Sequence, residues 1–228
     1  MGIKERQERD REAVRRAILD AARELFVREG FNNISIRKIA ERIEYSPAAI
    51  YGYFPSKDDI YYALAEEGFR LLCDERRNPC LTSLPAIERV REIFWRFYMF
   101  SREQPQYFAL MFVDRSVPRI SREYERFAFA RDMKAELVAH VHEATVAGDL
   151  PSHLPPEGLF HMLSAALIGV AVMRLSDRIG PDEDADGLAR NVLDVTLAGL
   201  RSGLPLQSSS ASCELDEPQT RALDTHVS

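Results

Sequence analysis

The chain has 228 residues, of which 46% are hydrophobic and 29% charged, and a net charge of −6. This composition excludes collagen-like, mucin-like and wholly disordered classes, and the length accommodates two domains of ordinary size. A protein that coats nucleic acid non-specifically carries a basic excess, so any nucleic-acid contact here must be confined to a local surface.

Residues 1–16 form a mixed-charge run without the apolar core of a secretory signal. The first helical pattern follows, from about Arg9 to Glu29. Val14, Ile18, Ala21, Ala22, Leu25 and Phe26 recur at three- and four-residue spacing and share one face. Gly30 is expected to stop this helix in the left-handed conformation. Ser35 reads as the N-cap of a short second helix with the stripe Ile36, Ile39, Ala40, Ile43, and Ile34 and Ile39 are placed to staple its entry. Ser46 caps a shorter third helix with Pro47 at its first position; Tyr45 and Ile50 repeat the staple. Pro55 ends that unit. Ser56 then caps a fourth helix, with Asp58 and Asp59 set against its positive N-terminal dipole.

A break is expected around Asn78-Pro79-Cys80. Pro85 opens a fifth helix to about Glu103, and Pro105 opens a sixth over Gln106–Phe112. A seventh runs from about Arg119 to Ala147 and ends at Gly148. An eighth runs from Pro155-Pro156 to Asp177, and a ninth covers Ala185–Arg201. Strand alternation and Asn-Gly hairpin signals are absent from the sequence. The stretch Met162–Met173 is shorter than the roughly 20 residues a bilayer crossing needs, so a buried helix is expected there and no membrane association. From Gly203 the composition turns to Ser, Gln, Asp and Pro, which reads as a disordered tail. Cys73, Cys80 and Cys213 form no C-x-x-C pair, which points to a reducing, cytoplasmic setting rather than a disulfide scaffold.

Three short, separately capped helices within about 55 residues have a specific use. The second and third are joined through Glu44-Tyr45 at helix-turn-helix spacing, which lets the third enter a DNA major groove while the second crosses the phosphates. Its tip carries Pro47, Ala48 and Ala49, small enough for close approach to base edges and able to touch thymine methyls. Around the tip stand groups suited to phosphates: Ser35 and Ser46 at helix starts, Arg37 and Lys38 in the second helix, Tyr51 and Tyr53 after the third, and Lys57 at the start of the fourth. The first 60 residues hold 12 Lys/Arg against 11 Asp/Glu, so attraction to DNA depends on which side the basic groups face. The N-terminal basic residues Lys4, Arg6, Arg9, Arg11, Arg15 and Arg16 add phosphate contacts or form a solvated helix end.

The run Ile18-Leu19-Asp20-Ala21-Ala22-Arg23-Glu24-Leu25-Phe26, then Gly30-Phe31, Ile39-Ala40, and Ser46-Pro47-Ala48-Ala49-Ile50-Tyr51-Gly52-Tyr53-Phe54-Pro55-Ser56-Lys57 resembles the DNA-binding domain of TetR-type (tetracycline-repressor-like) transcriptional regulators. The resemblance covers roughly residues 12–65. It implies phosphate contacts by Tyr51 and Lys57, with Tyr53 at the family's aromatic or histidine position. Two departures stand out. Pro47-Ala48-Ala49 replaces a common Lys-Gly-Thr, and Gly52 a common His. Base reading is then expected to lean on methyl groups, backbone groups, Arg37 and DNA shape.

The remaining chain is read from its apolar stripes. Phe94, Trp95, Tyr98, Tyr107, Phe108, Met111 and Phe127 are candidate walls of a pocket for an apolar ligand, with plain core packing as the alternative for each. Arg131 is a candidate partner for a ligand carboxylate or a glutamate, and His161 a candidate ligand donor or a structural histidine. The eighth and ninth helices, rich in small and branched residues, are suited to a four-helix interface between two copies.

The expected architecture is therefore all-α, with a three-helix DNA-binding domain (1–60), a larger helical ligand-binding and dimerisation domain (61–202) and a tail (203–228). The expected partners are a double-stranded DNA operator, a small-molecule effector and a second copy of the chain. A small helical enzyme and a helical adaptor are the competing readings. The sequence has no nucleophile elbow, phosphate-binding glycine loop, H-E-x-x-H or paired metal ligands, so no catalysis, cofactor or metal is expected.

Overall fold

The computed structural model describes residues 2–30, 33–76, 81, 83–113 and 128–202, and within these every regular element is helical. The break expected at Asn78-Pro79-Cys80, the start of the seventh helix with Phe127, and the tail from Gly203 all lie outside the described residues. In chain order the helices are α1 (Ile3–Glu29), α2 (Ile36–Arg42), α3 (Pro47–Tyr51), α4 (Lys57–Arg76), α5 (Ala86–Glu103), α6 (Pro105–Phe108), α7 (Ala128–Val146), α8 (Pro156–Leu175) and α9 (Ala185–Arg201).

Helix α1 begins six residues before its apolar pattern does. Residues 4–13 are exposed on every side, so no buried stripe marks them in the sequence. Its end departs from expectation too. Gly30 has φ 72° and ψ 165°, so its φ is positive as expected but its ψ is extended rather than left-handed helical. Only glycine adopts that region readily.

The α2–α3 connection closes as a Schellman motif built without glycine. The Tyr45 N–H donates to the Ala40 carbonyl at 2.9 Å and the Glu44 N–H to the Glu41 carbonyl at 3.4 Å. Glu44 takes φ +58° at the position where glycine is usual. Beneath this turn, Ile18, Ala22, Ile39, Ala40, Ile50 and Phe54 form a buried core that fixes α3 against α1 and α2. The same apolar cluster continues through Ile60, Leu64 and Ala65 of α4 into the C-terminal helices.

A polar junction ties α1, α4 and α6 together. Arg23 of α1 donates to Asp20 at 2.9 Å and to Glu67 of α4 at 3.2 Å, and its guanidinium lies 5.8 Å from the ring centroid of Tyr107 in α6. Burial, reinforced by the Glu67 carboxylate, pushes the Tyr107 phenol up to about 12.

The expected sixth helix is split. After the single α-turn of α6 the backbone widens into a π-turn over Ala109–Val113. The wider turn lets Leu110 and Met111 both bury while Phe112 joins a ring cluster with Phe97 and Phe108, at centroid distances of 5.2 and 5.0 Å. Gly68 of α4 is what lets this segment lie close. A Cβ there would fall 2.6 Å from Met111 Sδ and 2.9 Å from Tyr107 Cδ1.

In the C-terminal bundle, α8 buries Leu159, Leu163, Leu167 and Val170 against its neighbours. It runs for 20 residues, longer than the apolar stretch that marked it, and is long and apolar enough to cross a membrane by length and composition. Only 28% of its most apolar window is buried in the chain. Helix α9 is moored to α5 by Tyr98, whose hydroxyl donates to the Asp186 carboxylate at 3.0 Å or the Ala185 carbonyl at 3.1 Å. Burial, with the Asp186 hydrogen bond and charge adding to it, pushes the Tyr98 phenol up to about 12.

Two measurements check this description. Glu44→Gly relieves the left-handed strain at the turn and should raise unfolding stability by about 0.5–1 kcal/mol in urea titration, whereas Glu44→Ala should give no gain. The folded protein also holds the Tyr98 and Tyr107 phenols neutral beyond the pH at which the unfolded chain loses those protons. Their contribution is thus intact below pH 10 and is lost as pH rises from 10 towards 12. Urea midpoints measured from pH 8 to 11.5 should fall over that range, and less steeply in Tyr98→Phe.

Candidate nucleic-acid interface and internal cavity

Both predicted capping serines act locally. Ser35 Oγ accepts from the Lys38 N–H and Ser46 Oγ from the Ala49 N–H, each at 3.2 Å. These bonds start α2 and α3 where the sequence indicated and satisfy one orphan N–H of each helix. The remaining N–H groups of the α2 start face outward beside exposed Ser35 and Arg37. The Arg37 guanidinium donates to Glu41 at 2.8 Å, one turn along the exposed face of α2.

Helix α3 offers one buried side chain, Ile50, to the core and turns the rest outward. Pro47 and Ala48 are exposed, Ala49 is partly covered, and the Tyr51 ring is 53% exposed. A side chain this large and this exposed gains little from the fold, and its hydroxyl is presented to whatever approaches α3. Tyr53 is half-buried. Lys57 stands at the first position of α4 with its ammonium 5.4 Å from the Tyr61 ring centroid. Ser56 caps that helix, accepting from the Asp59 N–H at 3.2 Å. The nine predicted DNA-facing residues thus fall along α2, α3 and the start of α4.

Two further residues join this surface. Arg11 of α1 donates to the Gly52 carbonyl at 3.3 Å and its guanidinium lies 5.6 Å from the Tyr53 ring centroid. Arg15 lies 4.6 Å from the Phe54 ring centroid. Of the N-terminal basic residues, these two are held against the end of α3. Their spacing of four was the available signal, since it puts both on one side of α1.

The aromatic stripes of the C-terminal bundle enclose a cavity of about 220 Å³. Helix α5 contributes Ile93, Phe94 and Phe97, α4 contributes Leu72, and the π-turn contributes Phe112. Met133 and Leu137 come from α7, and Phe160, His161, Ser164 and Ile168 from α8. Of the predicted ligand residues, Phe94 and His161 line it. Trp95 instead stacks beneath Arg190 of α9, at 4.1 Å from guanidinium to ring centroid. Tyr98 binds the start of α9, Tyr107 the Arg23–Glu67 junction, Met111 packs towards Gly68, and Phe108 is core. Arg131 is exposed and lines a separate surface groove with Lys134 and His142. Phe97, Phe112 and Phe160 are the walls the sequence reading did not single out.

Residues 18–64 match the family of bacterial regulatory proteins described as the tetR family. Over 55 residues the chain is 40% identical to the HTH-type transcriptional repressor Rv1474c of Mycobacterium tuberculosis, which is 24% of this chain and 29% of that protein. Over 88 residues it is 27% identical to an uncharacterized HTH-type transcriptional regulator of Haemophilus influenzae, 39% of this chain and 47% of that one. The chain thus spans less than half the length of these curated relatives. The crystal structure of a TetR family transcriptional regulator, PfmR from Thermus thermophilus, superposes with a TM-score of 0.60 at 20% identity, covering 80% of this chain and 98% of that one. At that identity the likeness shows a shared all-helical fold. On the N-terminal match and the shared fold together, the chain belongs to the tetR family of bacterial regulatory proteins.

Proposed function

We propose that the chain is a DNA-binding transcriptional repressor of the cytoplasm that sits on a palindromic operator as a homodimer and is released by a small apolar ligand held in the C-terminal cavity. The observation that carries the DNA part is the α2–turn–α3 unit. A glycine-free Schellman turn fixes α3, Ile50 and Phe54 pin it from below, and Pro47, Ala48 and Tyr51 project outward. Such a helix fits the major groove, and the phenol of Tyr51, the ammonium of Lys57 and the α2 N-terminus suit the flanking phosphates. The repressor named among the relatives supports the sign of regulation.

The dimer reading is supported by apolar surface that the chain leaves uncovered. Along α8, Met162, Ala165, Gly169 and Met173 are exposed at three- and four-residue spacing. Along α9, Leu188 and Val195 are exposed, Val195 at 72%. Soluble monomers seldom present contiguous apolar stripes of this size, and two copies packing α8 and α9 together would bury both. A symmetric pair also supplies two recognition helices for half-sites about 34–36 Å apart.

Gel-shift titration against a palindrome from the DNA upstream of the chain's own coding region tests the DNA reading. Tyr51→Phe should weaken binding about 10-fold, the size of one lost hydrogen bond to a charged group, with an unchanged circular dichroism spectrum. Lys57→Ala should weaken binding to all sequences and make the salt dependence shallower by about one in log–log slope for each half-site. A flat salt dependence of the unaltered protein would favour the adaptor reading. Val195→Glu places a charge in the proposed interface. Sedimentation velocity should then show a monomer at micromolar concentrations where the parent chain is a dimer, and operator affinity should fall with it.

A further inference from the structure

The walls of the cavity say what kind of molecule they would hold, given the effector reading above on which this inference rests. No lysine, arginine, aspartate or glutamate lines it. A ligand carboxylate inside would be desolvated without a partner, which is costly. A ligand cation fares little better. The best aromatic host for a cation is tryptophan, which the cavity lacks, and the Phe160 ring already has the Lys134 ammonium 5.8 Å from its centroid. A neutral occupant is therefore favoured.

Size and wall chemistry narrow the class. An apolar cavity of about 150 Å³ accommodates benzene. At about 220 Å³ this one has room for a single ring with one or two small substituents. Phe97 and Phe112 meet edge to face, 82° apart, and Phe94 and Phe160 lie 5.9 Å apart, an arrangement in which a further ring finds both edges and faces.

The polar groups sit together. His161 and Ser164 are one turn apart on α8, and His161 is exposed, so the polar end of the cavity is its solvent end. The Ser164 hydroxyl donates its proton to the Phe160 carbonyl at 2.8 Å. What Ser164 offers a ligand is therefore a lone pair, an acceptor. We propose that the cavity binds a neutral single-ring aromatic carrying one hydrogen-bond donor, the chemistry of a phenol, with the ring among Phe94, Phe97, Phe112 and Phe160 and the donor directed to Ser164 Oγ.

Isothermal titration calorimetry on the full chain without DNA tests this with four probes of one shape: p-cresol, toluene, p-toluate and p-tolyltrimethylammonium. The expected result is p-cresol binding roughly 5- to 10-fold more tightly than toluene, the worth of one net hydrogen bond, with both ions weaker than either. Ser164→Ala should bring p-cresol down to the toluene level and leave toluene unchanged; thermal melting verifies that the variant is folded. Tighter binding of either ion, an unchanged p-cresol-to-toluene ratio in Ser164→Ala, or no binding by any probe at millimolar concentration would each overturn the assignment. Operator release is read separately by gel shift. If p-cresol binds with the expected selectivity but leaves the operator complex intact, the ligand class stands and the effector reading falls.

Discussion

Helix α4 belongs to two cores at once, and the rest of the structure depends on that sharing. Its N-terminal half supplies Ile60, Leu64 and Ala65 to the packing that pins α3, while Leu72, farther along, is part of the cavity wall. Between them, Glu67 takes the Arg23 guanidinium of α1, and Gly68 receives Met111 and Tyr107 at van der Waals range. A packed helix is stiff and close-packed interiors transmit displacement rather than absorb it. Any shift of the α4 C-terminal half relative to α5 and the π-turn is thus felt at the N-terminal unit through one continuous rod.

The parts of the fold legible in the sequence are those whose cause is local. Ser35, Ser46 and Ser56 were readable as caps because a cap is a side chain bonding to backbone three residues away, and all three do so. The all-helical class followed from apolar spacing, and the exposed tip of α3 from having a single large apolar side chain, Ile50, to bury. The start of α1 was not legible, because residues 4–13 face solvent on all sides and leave no periodic trace. Nor was the ψ of Gly30, since glycine's freedom predicts a positive φ without choosing among the regions that allow it.

The candidate sites divide on the same line. The nucleic-acid surface is built from one contiguous stretch with a fixed order of caps and aromatics, so its members could be named in advance. The cavity draws on five separate segments. In α5, Phe94 and Phe97 face it while Trp95 turns to Arg190 and Tyr98 to Asp186. All four are aromatic and lie within one helical turn and a half. Which neighbour each meets is decided by where α8 and α9 cross α5, a matter of tertiary geometry that spacing within α5 does not contain. The polar character of the cavity mouth was legible only in part: His161 was a visible candidate, whereas Ser164 matters because its own proton is already spent on the backbone.

The π-turn at Ala109–Val113 carries a consequence for how this chain tolerates change. A π-turn holds one residue more than the α-helical path would need. That surplus sets the angular offset between Met111, which rests on α4, and Phe112, which meets Phe69 and Phe97. Removing a single residue from this segment would wind it back to ordinary helical pitch and swing every later side chain by about 100°. A one-codon deletion here would therefore exchange which side chain presses on α4 and which lines the cavity, re-gearing the two halves of the molecule while leaving every other helix its own sequence.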